Sequence, residues 1–214
     1  MASHKATSCL VLCFCFLATA TARKPLAVTT TAATTAPALK YATFYEALSK
    51  DPSHKMIMDA VAKDAATKAM LRLPLNVTAF VPTDTAFAKA AAKFGLGNDT
   101  SKLMANTCLL NALLKYHIMS PGMTQAKLAT ITSKNSMLVV SSTVNGAKKT
   151  TAKVLKFKVE GNNIRVQGGA TSATLGKIRN VVAGKGILHN VDNVLLPSAN
   201  LTTLAQMTGC KVTL

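Results

Sequence analysis

A chain of 214 residues is long enough for one domain with a leader and a linker, and too short for two full domains. Hydrophobic residues make up 49% of it and charged residues 15%, with 25 Lys and Arg against 8 Asp and Glu. A core can therefore be buried beneath a positive surface, and the profile of a disordered polyelectrolyte is excluded.

Residues 1–22 have the form of a secretory signal peptide. His4 and Lys5 precede the apolar run CLVLCFCFLA, and Ala20-Thr21-Ala22 is a small-x-small cleavage site. That run is about ten residues, whereas a bilayer span needs about 20. The C-terminal MTGCKVTL has no hydrophobic tail of the kind that signals a lipid anchor. The mature chain is thus expected to be released to the extracellular space or cell wall without a membrane span. Losing Lys5 with the leader leaves 24 basic residues against 8 acidic, a charge of +16.

Residues 23–40 are rich in Thr, Ala and Pro and hold too few large apolar groups to offset the entropy of ordering them. They are read as a linker suited to O-glycosylation. A folded domain is expected over 41–201 and a tail over 202–214. Of five cysteines only Cys108 and Cys210 remain after cleavage. An even pair in an oxidising compartment invites a disulfide tying the tail to the body. The alternative is two unpaired thiols, with Cys108 filling a helix face. Sequons at Asn76, Asn98 and Asn200 mark N-glycosylation candidates, Asn98 best placed of the three because it lies in a turn sequence.

Helical spacing runs over residues 43–50 and 52–71, with apolar Phe44, Leu48, Met56, Ile57 and Val61 on the repeating positions. A short strand is predicted over 77–81. Thr83 or Asp84 can cap a helix to Phe94, and Asp99 or Thr100 another to about Leu114. From residue 115 the pattern turns to strands: YHIM, MLVVSS, then VLKFKVE and NIRVQG around a Gly161-Asn162 turn. ATLGKI and GILHNVDNVLLP complete the series. A helical first half followed by an antiparallel second half predicts an α+β fold, helices packed on a sheet.

Two segments almost 100 residues apart stand out. The first, TAFVPTDTAF at residues 78–87, places Thr78, Phe80 and Pro82 on a strand that runs into a helix start at Thr83, Asp84 and Phe87. The second, GILHNVDNVLLP at residues 186–197, contains Gly186, Ile187, His189, Asp192 and Pro197. These resemble the two conserved boxes of fasciclin domains, and Tyr116-His117 stands where that family has a Tyr-His pair after a long helix. Lys185 departs from the Asn that often precedes the glycine of the second box. The resemblance covers roughly residues 41–200. It implies a β-sandwich or wedge with helices along one side, no catalytic centre, and an extracellular role in adhesion or matrix binding. It also implies a carotenoid-binding precedent among secreted algal members, where astaxanthin is the ligand.

The residues themselves point the same way on catalysis. The histidines left after cleavage, His54, His117 and His189, have no metal-ligand spacing, and no phosphate loop or nucleophile motif is present. Asp84 and Asp192 could be an acid and base pair. The favoured reading makes one a helix cap and the other a turn or strand-end acceptor. His117 and His189, placed inside apolar strands, are read as buried imidazoles, with an adhesive role for the Tyr-His region as the alternative that the resemblance implies.

The charge calls for a polyanionic partner. Lys148, Lys149, Lys153, Lys156 and Lys158 concentrate it around one strand, with Lys156 and Lys158 on one face and Phe157 on the other. Acidic extracellular polysaccharide fits better than nucleic acid, because no basic-aromatic motif is present. A second partner class is an apolar small molecule. Phe44, Leu48, Met56, Ile57 and Val61 could lie over strands near Ile178, Val181 and Ile187 and leave a cleft. Two functions follow: a soluble, photoprotective carrier of a carotenoid, and a matrix or adhesion module. With one domain and no anchor a bridge lacks valency, so the sequence leans to the carrier, as a monomer or weak dimer needing no cofactor beyond its cargo.

Overall fold

The computed structural model describes residues 39–94, 100, 106–144 and 147–211. The leader, the residues of the linker before Leu39, Asn98 and the expected helix start near Asp99 and Thr100 lie outside or at the edge of the described residues.

Local polar chemistry sets the helices. Thr43 starts α1 (Phe44–Lys50) by accepting the Glu46 N–H, and Glu46 reaches back to the Ala42 N–H. The single helix expected over 52–71 is divided. Asp51 and Asp64 each accept an N–H two residues on, from Ser53 and Ala66. The result is a 3-10 turn (Pro52–His54), α2 (Lys55–Lys63) and α3 (Ala65–Leu71). Short acidic side chains compete with helix continuation in this way. α4 is Asp84–Lys93, and α5, capped by Asn106, is Thr107–Tyr116. α6 is the short Gln125–Leu128. Where a tail was expected, Asn200 caps one more helix, α7 (Leu201–Thr208), which a left-handed Gly209 ends.

The strands are β1 (Lys40–Tyr41), β2 (Thr78–Pro82), β3 (Ile118–Met119), β4 (Ser133–Val144), β5 (Ala147–Glu160), β6 (Asn163–Gln167), β7 (Ser172–Thr174), β8 (Val181–Ala183) and β9 (Gly186–Val191). They join in the order β1-β8-β9-β2-β3-β4-β5-β6-β7. Three strand expectations are shortened. Tyr116 ends α5 and His117 is its C-cap, so only Ile118 and Met119 remain extended. β7 stops at Thr174, leaving Leu175 in an isolated bridge to Val191. β9 stops at Val191, where Asp192 turns the chain.

The two boxes become neighbours. β2 lies parallel to β9 with Phe80 opposite His189, and antiparallel to β3. All of β2 is buried, because it is covered on both faces. Ala79 and Val81 enter a core with Phe44, Ile57, Phe87, Leu109 and Val181 from the helices and β8. Phe80 enters a second core with Leu155, Phe157, Ile164 and Val166. The sheet curls so far that the Phe80 and Phe157 rings lie 5.9 Å apart. This is an α+β wedge: helices on one side of β2, the other half of the sheet on the other.

Candidate functional site

The histidines of the motifs face inward. His117 is 3% exposed; its Nδ1 donates to the Leu113 carbonyl at 2.7 Å and its Nε2 accepts the Leu195 N–H at 2.9 Å. His189 is fully buried, donating from Nε2 to the Met123 carbonyl (2.9 Å) and accepting the Asn180 N–H at Nδ1. Burial pushes both down to about 4, so both are neutral at pH 7. Tyr116 is also buried; its hydroxyl accepts the Gly169 N–H at 2.8 Å and donates to the Val154 carbonyl. Thus the Tyr-His pair is a set of internal ties from α5 to three other segments, with no face open to a partner. The expectation that His117 sits in a strand is corrected. It terminates a helix, because the apolar run YHIM fits either element.

Each of the two motif aspartates is engaged by backbone N–H groups. Asp84 accepts the Lys55 and Met56 N–H groups at 3.2 and 3.0 Å, capping α2, not its own helix. Thr83 occupies the N-cap of α4. Asp192 accepts the Thr174 N–H at 2.7 Å at a strand end. Thr78 Oγ1 donates to the Pro121 carbonyl and accepts the Met123 N–H. Phe87 is core. Gly186 sits where Phe44 and the Val77 and Leu75 carbonyls crowd the backbone, and the Pro197 carbonyl closes against Gly169 in the same way. Pro82 ends β2.

The basic stripe lies on the long β4–β5 hairpin. Lys156 and Lys158 are exposed on its outer face with Phe157 buried between them. Lys156 stands opposite Gln167 and Lys158 opposite Arg165. Lys149 is exposed further out, Lys153 is half-buried, and Lys148 is placed opposite Thr143 by backbone register. Exposed Met137, Val139 and Val154 lie beside the stripe. One anion interrupts it: Glu160 holds Arg165 at 2.8 Å and Lys158 at 3.6 Å, and the Arg165 hydrogen bond keeps its carboxyl below the usual range.

A cleft does form near the expected place. A cavity of about 130 Å³ lies between α1 and strands β1, β8 and β9, lined in part by Leu48, Val181, Leu188 and Ile178. Phe44 and Ile57 line a separate space of about 30 Å³ deeper in the core, while Met56, Val61 and Ile187 border neither. Sequence reading missed that Asp51 and His54 also line the larger cleft. The signal was present in Asp51-Pro52-Ser53-His54, a capped turn that seats a histidine three residues after a carboxylate.

Asn76 and Asn200 are exposed, although the Asn76 Oδ1 already accepts the Gly122 N–H and Asn200 caps α7. Cys108 and Cys210 are joined as a disulfide. Among the described residues no helix is long and apolar enough to cross a membrane, and no cluster of three or more His, Cys, Asp or Glu residues could hold a metal.

A curled sheet with helices on one flank holds the motif residues inside, where they serve the fold, and carries an exposed basic hairpin. The Fasciclin domain family model matches residues 52–197, more than half of the chain, and the chain belongs to that family. Fasciclin domains are usually extracellular or cell-surface modules for adhesion and binding. No curated protein matches. The FAS1 domain pair of the insect cell adhesion molecule Fasciclin I is similar at 21% identity, with a TM-score of 0.40, covering 67% of this chain and 45% of that one. The chain therefore spans less than half of that paired structure.

Proposed function

We propose that the protein is a secreted, non-enzymatic matrix-binding module that takes acidic polysaccharide on the outer face of the β4–β5 hairpin. One observation carries the reading: Lys156 and Lys158 stand exposed side by side while Phe157 between them is anchored in the core. The strand therefore presents two cations in fixed register, and a net charge of +17 on the whole chain draws polyanions towards it. The leader sequence supports secretion.

The test is salt elution from immobilised polygalacturonate and from sulfated dextran. Lys156→Glu with Lys158→Glu should elute at lower salt while leaving the fold intact, since exposed substitutions away from special features change stability by about 0.5 kcal/mol or less. Elution unchanged from the parent protein would sink the reading. Glu160→Gln removes the interrupting anion and should move elution the other way.

A second reading, carriage of a carotenoid or another long apolar molecule, is favoured by the cleft that brings Leu48, Ile178 and Val181 together. The cleft of about 130 Å³ is well below the roughly 300–1,000 Å³ of pockets that enclose larger ligands. A carotenoid would have to lie largely along the surface there. Saturable uptake of added astaxanthin, read by a visible band, tests it; a protein that stays colourless ends it.

A further inference from the structure

We propose that the outer face of the β4–β5 hairpin selects acidic polysaccharide in which part of the carboxyl groups are methyl-esterified, the free carboxylates meeting Lys156 and Lys158 and the ester methyls lying on Met137, Val139 and Val154. This rests on the polysaccharide reading above and narrows its ligand.

The face is amphipathic along one strand. Leu155 and Phe157 point into the second core, so Val154, Lys156 and Lys158 turn together to the outside. Val154 is 43% exposed. At a rise of about 3.4 Å per residue, Lys156 lies about 7 Å and Lys158 about 14 Å along the strand from Val154. On β4, Ser136 and Leu138 are buried while Met137 and Val139 are 45% and 56% exposed. The register slips between Asn135 and Val139, a bulge that the Ser136 hydroxyl braces by accepting the Leu138 N–H. Val139 stands opposite Ala152 and diagonal to Val154, so these aliphatic groups form one patch and are not scattered singly. The outer positions around it, Ser133, Asn135, Ser141 and Thr150, are exposed and polar, which bounds the patch.

Cations beside an aliphatic patch complement an anion that carries apolar groups of its own. A second copy of this chain would set Lys156 and Lys158 against like charges. A bilayer would find only Met and Val here, with no aromatic ring to seat among headgroups. A fully ionised polyuronate would use the lysines and leave the aliphatic side chains wet. Each methyl ester exchanges one charge for one methyl, so a chain holding both kinds of group matches both halves of the face. The face is also preformed: Phe157 anchors β5 from below, and the Val154 carbonyl accepts the Tyr116 hydroxyl at 3.4 Å.

Charge alone predicts that affinity falls with every ester added. The aliphatic patch predicts a maximum at partial esterification, with about a fourfold gain for each methyl seated on it. The experiment measures salt elution and Kd of the full, disulfide-bonded protein on galacturonans that are unesterified, partly esterified and almost fully methyl-esterified. The partly esterified polymer should elute last and bind about fourfold or more tightly than the unesterified one. Val139→Thr with Val154→Thr keeps the β-branched shape but makes the patch polar. It should reverse that order, so that affinity falls at each step of esterification. A parent protein that prefers the unesterified polymer, or a double variant that keeps the parent's order, would overturn the inference and leave the lysine reading standing. Tighter binding to phosphatidylserine vesicles than to any galacturonan, or a dimer that the double variant dissociates, would give the patch to another occupant and overturn it too. Failure of the underlying reading looks different: the Lys156→Glu, Lys158→Glu protein would then elute like the parent from all three polymers, and both proposals would fall.

Discussion

His117 Nε2 accepts the backbone N–H of Leu195 at 2.9 Å, and that bond fixes the end of α5 to the segment that follows β9. The other ring nitrogen is committed to Leu113 one turn back. His117→Ala would strand the buried Leu195 N–H and leave a cavity, while the Leu113 carbonyl keeps the backbone N–H of residue 117. The expected loss of stability is roughly 2–4 kcal/mol, read from urea denaturation. Retention on polysaccharide at low denaturant should not change. An unaltered urea midpoint would show that the histidine is not a clamp.

Acid should weaken the protein in a defined window. His117 and His189 are held at about 4 in the folded state by burial, against an ordinary value of 6.5. Between those values the unfolded chain binds protons that the folded chain does not, so stability falls as pH falls. The loss is at most about 1.4 kcal/mol per pH unit for each histidine. Burial lowers His54 too, which adds to the same trend. Above about pH 6.5 these groups contribute no slope. Urea midpoints that stay flat from pH 7.5 to 5 would contradict neutral, buried imidazoles.

How far the sequence reveals these features depends on the range of the forces involved. Thr43 and the Gly161-Asn162 turn act within a few residues, and the elements they bound are legible. Asn106 acts as locally at the start of α5, but the sequence pointed to Asp99 or Thr100 as the cap. Asp51 and Asp64 act just as locally, but helical periodicity on both sides masks the breaks they make. Tyr116-His117-Ile118-Met119 is apolar enough for helix or strand, and only the Leu195 bond, 78 residues away, decides for a helix end. The same holds for Asp84, whose spacing marks a helix start correctly while its partners are 28 and 29 residues upstream. For the candidate cleft, Leu48 and Val181 were legible as apolar positions. The Asp51–Asn190 bond was not, because it spans 139 residues and leaves no local pattern.

Gly186 tests the close approach at the start of β9. A Cβ there would lie 2.6 Å from Phe44 Cζ and from the Val77 carbonyl oxygen, and 2.7 Å from that of Leu75. Two of those three neighbours are backbone and cannot swing aside. Gly186→Ala should therefore cost about 1–3 kcal/mol, or somewhat more where the strand itself must shift. Thermal unfolding reads the loss. By contrast Gly161→Ala, where no atom lies within 4 Å, should lose only the smaller amount set by its positive φ.

The disulfide makes the last helix part of the fold. Cys108 precedes the buried face of α5, and Cys210 follows the left-handed Gly209 that turns the chain back at the end of α7. The bridge closes a separation of 102 residues, so it removes many conformations from the unfolded chain. Within the helix itself Leu204 is fully buried and Ala205 nearly so, and Met207 packs on the second core. An eight-residue helix is marginal alone, so those contacts need the tether to hold them. Cys210→Ser should lower stability by about 2–4 kcal/mol. Its α7 amides should exchange with solvent well before those of β2 and β9. Because Cys108 is exposed, mild reduction of the parent protein should reproduce both effects. If α7 amides in the Cys210→Ser protein stay as protected as those of β2, apolar packing alone holds the helix and the tether is dispensable.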